Sequence, residues 1–221
     1  MKYILMCGGV YRFETPRWLI KVDGEPIIEH TIRLLRELGV EDISISSNLD
    51  CFDYLDVPII KTENSYHAGP EKEKKGYWTD AFVRLDEPVC YICGDVWFSK
   101  EALKTIIDTQ TDDILFFGTQ RPFHKAYKKH YEEPLAFKVV NQKRFQECIE
   151  EVNSLWDRRL TKRFPIAWEL YRVIDGIDVN KHLLGGRFVG IHDFALDVDR
   201  PDDLDNFLSS IKNYKELQEK Q

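Results

Sequence analysis

Short apolar runs alternate along this chain with stretches in which apolar residues recur at helical spacing. Tyr3–Met6 is an apolar run that soon meets two glycines, as a buried strand entering a loop does. In Pro26–Leu38 the apolar residues recur at helical spacing, and the proline suits a first helical turn. Strands that alternate with helices form a mostly parallel sheet covered by helices on both faces. The sequence therefore predicts an α/β fold of three layers, helices on either side of a mostly parallel mixed sheet, in a single domain over residues 1–221.

The predicted elements follow one another without an internal repeat or a linker. Extended segments are predicted at Tyr3–Met6, Asp42–Ser47, Val57–Ile60, Val89–Cys93, Ile114–Phe117, Leu135–Val140 and Phe188–Val198. Helices are predicted at Pro26–Leu38, Gly76–Leu85, Lys100–Asp108, Phe145–Leu160, Ala167–Ile174 and Asp202–Leu217. A chain of 221 residues is long enough to bury one sizeable core.

Charge and cysteine content exclude some classes of partner. The net charge of −7 argues against a general nucleic-acid binder, which usually carries a basic face. Five cysteines, an odd number, indicate free thiols in a reducing compartment. Cys90 and Cys93 form a C-x-x-C pattern, but residues i and i+3 of a strand point to opposite faces, so we interpret both as core thiols. The apolar residues before Gly8 are too few for a signal peptide or a membrane span. We therefore expect a cytoplasmic protein without nucleic-acid or membrane partners.

Three polar stretches follow predicted strands, where open parallel sheets bind their ligands. They are Gly8–Arg17, Gly94–Asp95 and Asp197–Asp199. In the first stretch, Gly8 and Gly9 leave backbone N–H groups open to a phosphate. Arg12 and Arg17 supply planar donors that match phosphate oxygens. A tight turn with two solvated arginines would explain the same residues, and neither common phosphate-loop motif is present.

A longer series of motifs resembles the nucleotidyltransferases that activate sugar phosphates and phospho-alcohols. The family opens with A-G-G-x-G-T-R-L and P-K-x-L-x-x-V-x-G-K-P-L-I, and the similar run from Gly8 to Ile28 reads GGVYRFETPRWLIKVDGEPII. Further on, Gly94-Asp95 looks like the family's G-D at the end of the central strand. The run DVDRPDDL, which begins at Asp197, is similar to the family's D-I-D-T-P-E-D-L. The resemblance spans nearly the whole chain and implies a Rossmann-like nucleotide-diphospho-sugar transferase fold.

The resemblance also implies a reaction. NMP would pass from an NTP to a phosphorylated small acceptor, either a sugar 1-phosphate or a phospho-alcohol, and pyrophosphate would leave. Such a step needs neutralised charge and in-line positioning more than acid–base help. Mg²⁺ is the implied cofactor, because it prefers oxygen ligands and typically takes one or two carboxylates. The short chain is similar to cytidylyltransferases, which favours CTP and a role in nucleotide-sugar or CDP-alcohol biosynthesis, and a homodimer is possible.

Site residues carry over from the family motifs position by position. The implied metal ligands are Asp95, Asp197 and Asp199, and the last two share one face of a strand. For Asp95 alone, a helix N-cap or a turn aspartate is the simpler explanation. The implied nucleotide-binding residues are Met6, Cys7, Gly8, Gly9, Gly76, Asp80 and Gly94. The implied catalytic cations are Arg12, Arg17 and Lys21.

Two departures from the family concern these cations. The first loop is one residue shorter than usual, with Val10-Tyr11 where x-G-T is expected, which shifts Arg12 relative to its family counterpart. Arg17 stands where the family has a lysine, and the two cations are not interchangeable at a point contact. Either Arg17 fills the lysine's role or Lys21 replaces it.

Other interpretations remain open at this level. The polar segment 63–76 is either a solvated loop or a flap over the nucleotide, with Lys74 or Lys75 near phosphate. A nucleotide-sugar-dependent glycosyltransferase would normally carry Asp-x-Asp at the central strand end, where this chain has Gly94, Asp95 and Val96. A non-catalytic relative that binds a nucleotide or another metabolite is the third hypothesis. Release of pyrophosphate from an NTP separates the first hypothesis from the other two.

Overall fold

The computed structural model describes residues 1–9, 14–63, 76–128 and 132–220. Its strands are β1 (Lys2–Met6), β2 (Lys21–Val22), β3 (Glu25–Pro26), β4 (Ile43–Ser47), β5 (Ile59–Lys61), β6 (Val89–Cys93), β7 (Val96–Phe98), β8 (Ile114–Thr119), β9 (Pro134–Val139), β10 (Phe188–Ile191) and β11 (Ala195–Asp197). Its α-helices are α1 (Ile27–Glu37), α2 (Lys100–Asp108), α3 (Gln142–Asp157), α4 (Ala167–Ile174) and α5 (Leu204–Gln218). Short 3₁₀-helices lie at Arg17–Leu19, Trp78–Ala81 and Pro201–Asp203.

Seven strands form the central sheet, in the order β10-β8-β9-β6-β1-β4-β5. Strand β1 pairs in parallel with β4 and β6, and β4–β5 and β8–β10 are also parallel pairs. Strand β9 pairs antiparallel with both β6 and β8, so it runs against the other strands of this sheet. The first residues of β9 therefore lie at the same edge of the sheet as the last residues of β1 and β6.

Helices cover both faces of the sheet. Alternate residues of β1 point to opposite faces, so Leu5 packs in one core with α1 and α2, whereas Ile4 packs in a second core with α3 and α4. A third cluster joins α5 to β7 and β11 through Trp97, Phe194 and Phe207. The architecture is the three-layer α/β arrangement with a mostly parallel sheet that the sequence predicts. None of the helices in the described ranges is long and apolar enough to cross a membrane.

Helix α1 shows how the local sequence determines where a helix begins and ends and which face is buried. Pro26 precedes its first turn with φ −59°, and the last turn is followed by Gly39 at φ +83°. A left-handed residue after a helix favours glycine, because it has no Cβ to clash. Between these ends, Ile28 and Leu35 are fully buried against the sheet. Both predicted ends of this helix are confirmed to within a residue or two.

Two predicted elements differ from the structure. The helix predicted at Gly76–Leu85 is wrong, since only Trp78–Ala81 forms a 3₁₀ turn and the chain is extended at Phe82. Phe82 packs edge-on against Tyr91, Phe137 and Phe145, and this packing outweighs the local helical pattern.

The extended segment predicted at Phe188–Val198 is in fact two strands in two sheets. Strand β10 lies at the edge of the central sheet beside β8. The chain then turns at Asp193, whose side chain accepts hydrogen bonds from Ser99 Oγ (2.6 Å) and the backbone N–H of Phe194 (2.7 Å). Strand β11 follows and pairs antiparallel with β7, which places Asp197 opposite Val96. Asp197 is thereby brought next to the end of β6, although the two are about a hundred residues apart in sequence.

Gly94 lies where the ends of β1 and β6 are closest. Its N–H donates to the carbonyl of Met6 (3.1 Å). A Cβ at this position would lie 2.3 Å from Cys7 Sγ and 2.9 Å from the Met6 carbonyl oxygen. Only glycine fits here without displacing the backbone of β1.

We expect Gly94→Ala to lower the free energy of unfolding by about 1–3 kcal/mol, because the added methyl overpacks a closed junction. Urea unfolding followed by circular dichroism measures this change. Gly186→Ala is the matched control, since a Cβ there meets nothing within 4 Å, and it should shift stability by less than about 0.5 kcal/mol. Equal effects of the two substitutions would show that the β1–β6 junction tolerates a side chain.

Candidate functional site

The loop after β1 places Arg17 at the carboxyl edge of the sheet. Arg17 begins the 3₁₀ turn that ends at Leu19, and the next side chain, Trp18, is almost fully buried with its ring edge-on to Phe52. The Arg17 guanidinium carbon lies 5.4 Å from the centre of the Trp18 ring. The buried tryptophan thus anchors the turn, and the arginine extends from it toward the sheet edge.

The Arg17 guanidinium bridges two of the predicted metal ligands. One terminal nitrogen is 2.9 Å from Asp95 Oδ2, and the other is 3.3 Å from Asp199 Oδ1. Burial lowers the pKa of Arg17, but the charges of Asp95, Asp199 and Asp197 raise it by more. Arg17 Nε is buried and has no hydrogen-bond partner among the described residues. The cation at the family's lysine position is therefore in direct contact with the predicted carboxylates.

Three carboxylates form a cluster beside this ion pair. Asp197 ends β11, and Asp199 lies on the same side of the chain because the intervening Val198 is turned into the core. Glu133, directly before β9, is buried next to them. One oxygen from each of Glu133, Asp197 and Asp199 lies within 4.8 Å of the others. We call these three residues the acidic cluster.

Burial and mutual repulsion raise the pKa values of two members of the acidic cluster, Glu133 and Asp197. Burial raises the pKa of Glu133 far above the usual carboxyl range, and the negative charges of Asp197 and Asp199 raise it further. Burial likewise raises the pKa of Asp197, with added contributions from Asp199 and Asp95, while Arg17 acts in the opposite direction. Without a further cation, the pKa values of Glu133 and Asp197 are thus both raised.

Glu133 is the residue of this site that the sequence analysis missed. It falls in the charged stretch before β9, which resembles a solvated face, and the prediction looked only at residues that follow strands. Because β9 is antiparallel to β6, with Ile92 opposite Ala136, the residue before β9 lies at the edge where β6 ends. The antiparallel direction of β9 is therefore what brings Glu133 to the site.

The predicted nucleotide-binding residues around Gly94 lie together at the end of β1. Met6 and Cys7 are buried; the Cys7 carbonyl accepts a hydrogen bond from Ser47 Oγ (2.7 Å). Gly9 has φ +95°, and its N–H donates to Asn48 Oδ1 (2.9 Å). Gly8 is between them, half-buried. These residues form the floor of the loop that carries Arg17, and their contact with a nucleotide stays a prediction.

Gly76, Asp80 and Lys21 lie outside the acidic cluster. Gly76 has φ +71°, which favours glycine, and Asp80 accepts a hydrogen bond from the backbone N–H of Tyr77 (2.9 Å) and so caps a 3₁₀ turn. Lys21 is exposed on β2, and within the described residues no contact joins it to the acidic cluster.

Two further sets of predictions concern the loop cations and the C-x-x-C cysteines. Arg12 and most of the segment 63–76, including Lys74 and Lys75, lie outside the described residues. Cys90 is buried and Cys93 half-buried, and both are free thiols, as predicted.

The donor set of the acidic cluster suits a hard divalent cation. All its ligand atoms are carboxylate oxygens, which Mg²⁺ and Ca²⁺ prefer, whereas zinc sites favour nitrogen and sulfur. Glu133 Oε1 is buried without a hydrogen-bond partner among the described residues, so it is a buried acceptor that a cation would satisfy. Asp95 does not belong to this group, and its carboxylate instead pairs with Arg17.

No protein-family model matches the chain, and no curated protein matches its sequence. Solved structures do match its fold. A putative glucose-1-phosphate thymidylyltransferase from Bacillus anthracis is 14% identical with a TM-score of 0.55, over 96% of this chain and 95% of that chain. The 4-diphosphocytidyl-2C-methyl-D-erythritol synthase from Anaerococcus prevotii is 14% identical with a TM-score of 0.53, over 98% and 99%. A CMP:2-keto-3-deoxy-manno-octonic acid synthetase complexed with CTP is 14% identical with a TM-score of 0.54, over 96% and 98%.

These similarities establish the fold. The similar structures are nucleotidyltransferases of the class that the sequence motifs resemble, and the predicted Rossmann-like nucleotide-diphospho-sugar transferase fold is confirmed. At 14% identity they show the fold alone.

We expect Glu133→Gln to weaken the pH dependence of stability in the metal-free protein. The folded state keeps the Glu133 proton, whereas the unfolded chain loses it near the ordinary pKa of 4.5. The folded state therefore binds more protons above that pH, and wild-type stability falls as pH rises, by up to about 1.4 kcal/mol per pH unit for one proton. Glutamine has no such proton, so this part of the slope disappears.

Urea unfolding in EDTA, from about pH 5 to about pH 8, measures the slope. Glu132→Gln makes the same chemical change at the exposed neighbouring residue and should keep the wild-type slope. A Glu133→Gln slope equal to that of the wild type would mean that Glu133 is ionised in the folded protein.

Proposed function

We propose that this protein is a nucleotidyltransferase that transfers NMP from an NTP to a phosphorylated small molecule and releases pyrophosphate. The observation that carries this proposal is the bridge from Arg17 to Asp95 and Asp199, beside Asp197, at the carboxyl edge of this fold. It brings together a phosphate-binding cation and the predicted metal-binding carboxylates from three distant parts of the chain. Ligands of open α/β sheets bind at that edge.

The reaction balances without a covalent enzyme intermediate. An oxygen of the acceptor phosphate attacks the α-phosphorus of the NTP, and the bond from that phosphorus to the β-phosphate oxygen breaks. The electron pair leaves on pyrophosphate. Negative charge moves toward the leaving group, so catalysis depends on cations held in place along the phosphates.

Arg17 is suited to bind the phosphates. Its guanidinium is planar, stays charged, and has the buried Nε donor still unpaired among the described residues. When phosphate oxygens bind, they replace Asp95 as an acceptor of Arg17, and the released carboxylate becomes available as a further ligand. Mg²⁺, held by Asp197, Asp199 and Asp95, would neutralise phosphate charge and bring the two reactants together. Met6, Cys7, Gly8, Gly9 and Gly94 would support the nucleotide from the β1 loop.

CTP is the proposed donor. Two of the three similar structures are named for cytidyl chemistry or contain CTP. The acceptor is proposed as a sugar 1-phosphate or a phospho-alcohol, the class that the motifs resemble.

Pyrophosphate release tests the reaction directly. The full chain would be incubated with Mg²⁺, each of the four NTPs, and a panel of sugar 1-phosphates and phospho-alcohols. We expect release that needs all three components and is fastest with CTP. Hydrolysis or transfer from nucleotide sugars without any release from NTPs would favour a glycosyltransferase. A thermal shift with an NTP but no turnover with any acceptor would favour a binding protein.

Substitution of Arg17 tests the role of the bridging cation. We expect Arg17→Ala to lower kcat by about 10²–10³ with little change in KM for the NTP, because the contact is strongest as charge develops. Arg17→Lys keeps the charge and should retain more activity than Arg17→Ala.

Arg84→Ala is the matched control, since Arg84 is an exposed arginine 3.7 Å from Glu150 and should leave kcat unchanged. If Arg17→Ala is silent while Lys21→Ala abolishes turnover, Lys21 is the catalytic cation.

A further inference from the structure

The backbone of Glu133 is held in place by two hydrogen bonds to Thr119. Its N–H donates to Thr119 Oγ1 (2.7 Å), and its carbonyl accepts from the N–H of Thr119 (2.9 Å). Pro134 follows, which limits the backbone further. The carboxylate is thus fixed at the start of β9, where the sheet edge meets the acidic cluster.

The Glu133 carboxylate is buried beside other carboxylates, and a role in stabilising the fold does not explain this placement. The residue is only 5% exposed, and its side chain faces Asp197 and Asp199, with no ion pair to a cation among the described residues. Its Oε1 has no hydrogen-bond partner in the described part of the chain. A buried acceptor without a partner destabilises the folded state. Placing it beside two further carboxylates adds repulsion, which a bound cation would remove.

The spacing of the three carboxylates fits one ion. Oxygens bound to Mg²⁺ lie about 2.0–2.1 Å from it, and so at most about 4.2 Å from one another, whereas Ca²⁺ allows somewhat larger separations. The three ligand atoms lie within 4.8 Å of one another. Side-chain adjustments alone would therefore bring the three oxygens to the spacing that one Mg²⁺ requires.

We propose that Glu133, Asp197 and Asp199 form a preformed site for a divalent cation, with Glu133 as a ligand that the motif resemblance does not supply. The site binds Mg²⁺ or Mn²⁺ before any nucleotide arrives, because all three ligands already converge in the free protein. This differs from a cation that enters with the triphosphate and depends on its oxygens. It also differs in composition from the predicted set, in which Asp95 took the place of Glu133.

Titration with Mn²⁺ in the absence of nucleotide tests the site. The electron paramagnetic resonance signal of free Mn²⁺ reports binding to the full chain, with no turnover required. We expect one site per chain that Mg²⁺ displaces. Glu133→Gln should weaken Mn²⁺ binding about tenfold or more, since metal affinity depends on ligand charge. Glu132→Gln, at the exposed neighbour, should leave it unchanged.

Two further measurements make the result decisive. Circular dichroism checks that each variant is folded, and Glu133→Asp, which keeps the charge, should bind Mn²⁺ more tightly than Glu133→Gln. Wild-type protein that binds no Mn²⁺ without nucleotide would overturn the proposal, as would tight binding by Glu133→Gln. The proposal is separable from the proposed function: pyrophosphate release from an NTP by a protein that binds no free Mn²⁺ would retain the enzyme and reject the preformed site.

Discussion

The contact of the Arg17 guanidinium with Asp95 and Asp199 is the interaction on which the geometry of the site depends. It ties together the loop after β1, the end of β6 and the segment after β11. Carboxylates that are brought this close repel one another, and burial strengthens that repulsion because the local dielectric is low. The arginine offsets part of this charge. The close β1–β6 junction at Gly94 and the β7–β11 pairing then fix where each carboxylate lies.

The acidic cluster is better explained by ligand binding than by folding stability. A well-packed apolar group in place of Glu133 would need neither a retained proton nor a hydrogen-bond partner for Oε1. Strongly perturbed carboxyl groups at the ligand-binding edge of a sheet are typical of functional sites. Under the proposed function the charges would be complementary to a nucleotide with its metal, because Arg17 would turn to phosphate oxygens while the carboxylates would turn to a cation. On binding, the ion pairs between Arg17 and the carboxylates would then be replaced by ion pairs with the ligand, and no buried charge would be left unpaired.

The sequence predicted the order of the elements and most strand positions, because these follow from the apolar periodicity and from the glycines and prolines that mark the ends of elements. It also predicted that Asp95, Asp197 and Arg17 lie at one edge, since their motifs follow strands. The prediction from sequence failed where contacts between residues far apart in the chain determine the local structure. Phe82 is extended because three aromatic rings pack around it, and Glu133 joins the site because β9 runs antiparallel. Neither the ring packing nor the strand direction leaves a local pattern in the sequence.

This geometry explains how an arginine can occupy the position where the motif that the sequence resembles has a lysine. A lysine ammonium is a compact point charge, whereas a guanidinium offers donors in several directions within one plane. Two terminal nitrogens of Arg17 reach Asp95 and Asp199 at 2.9 and 3.3 Å, and these carboxylates belong to different segments. The third donor, Nε, remains without a partner among the described residues. An arginine therefore reaches both carboxylates through separate nitrogens and keeps a donor on a third, whereas a lysine in the same turn would have to direct all its N–H donors from a single nitrogen atom.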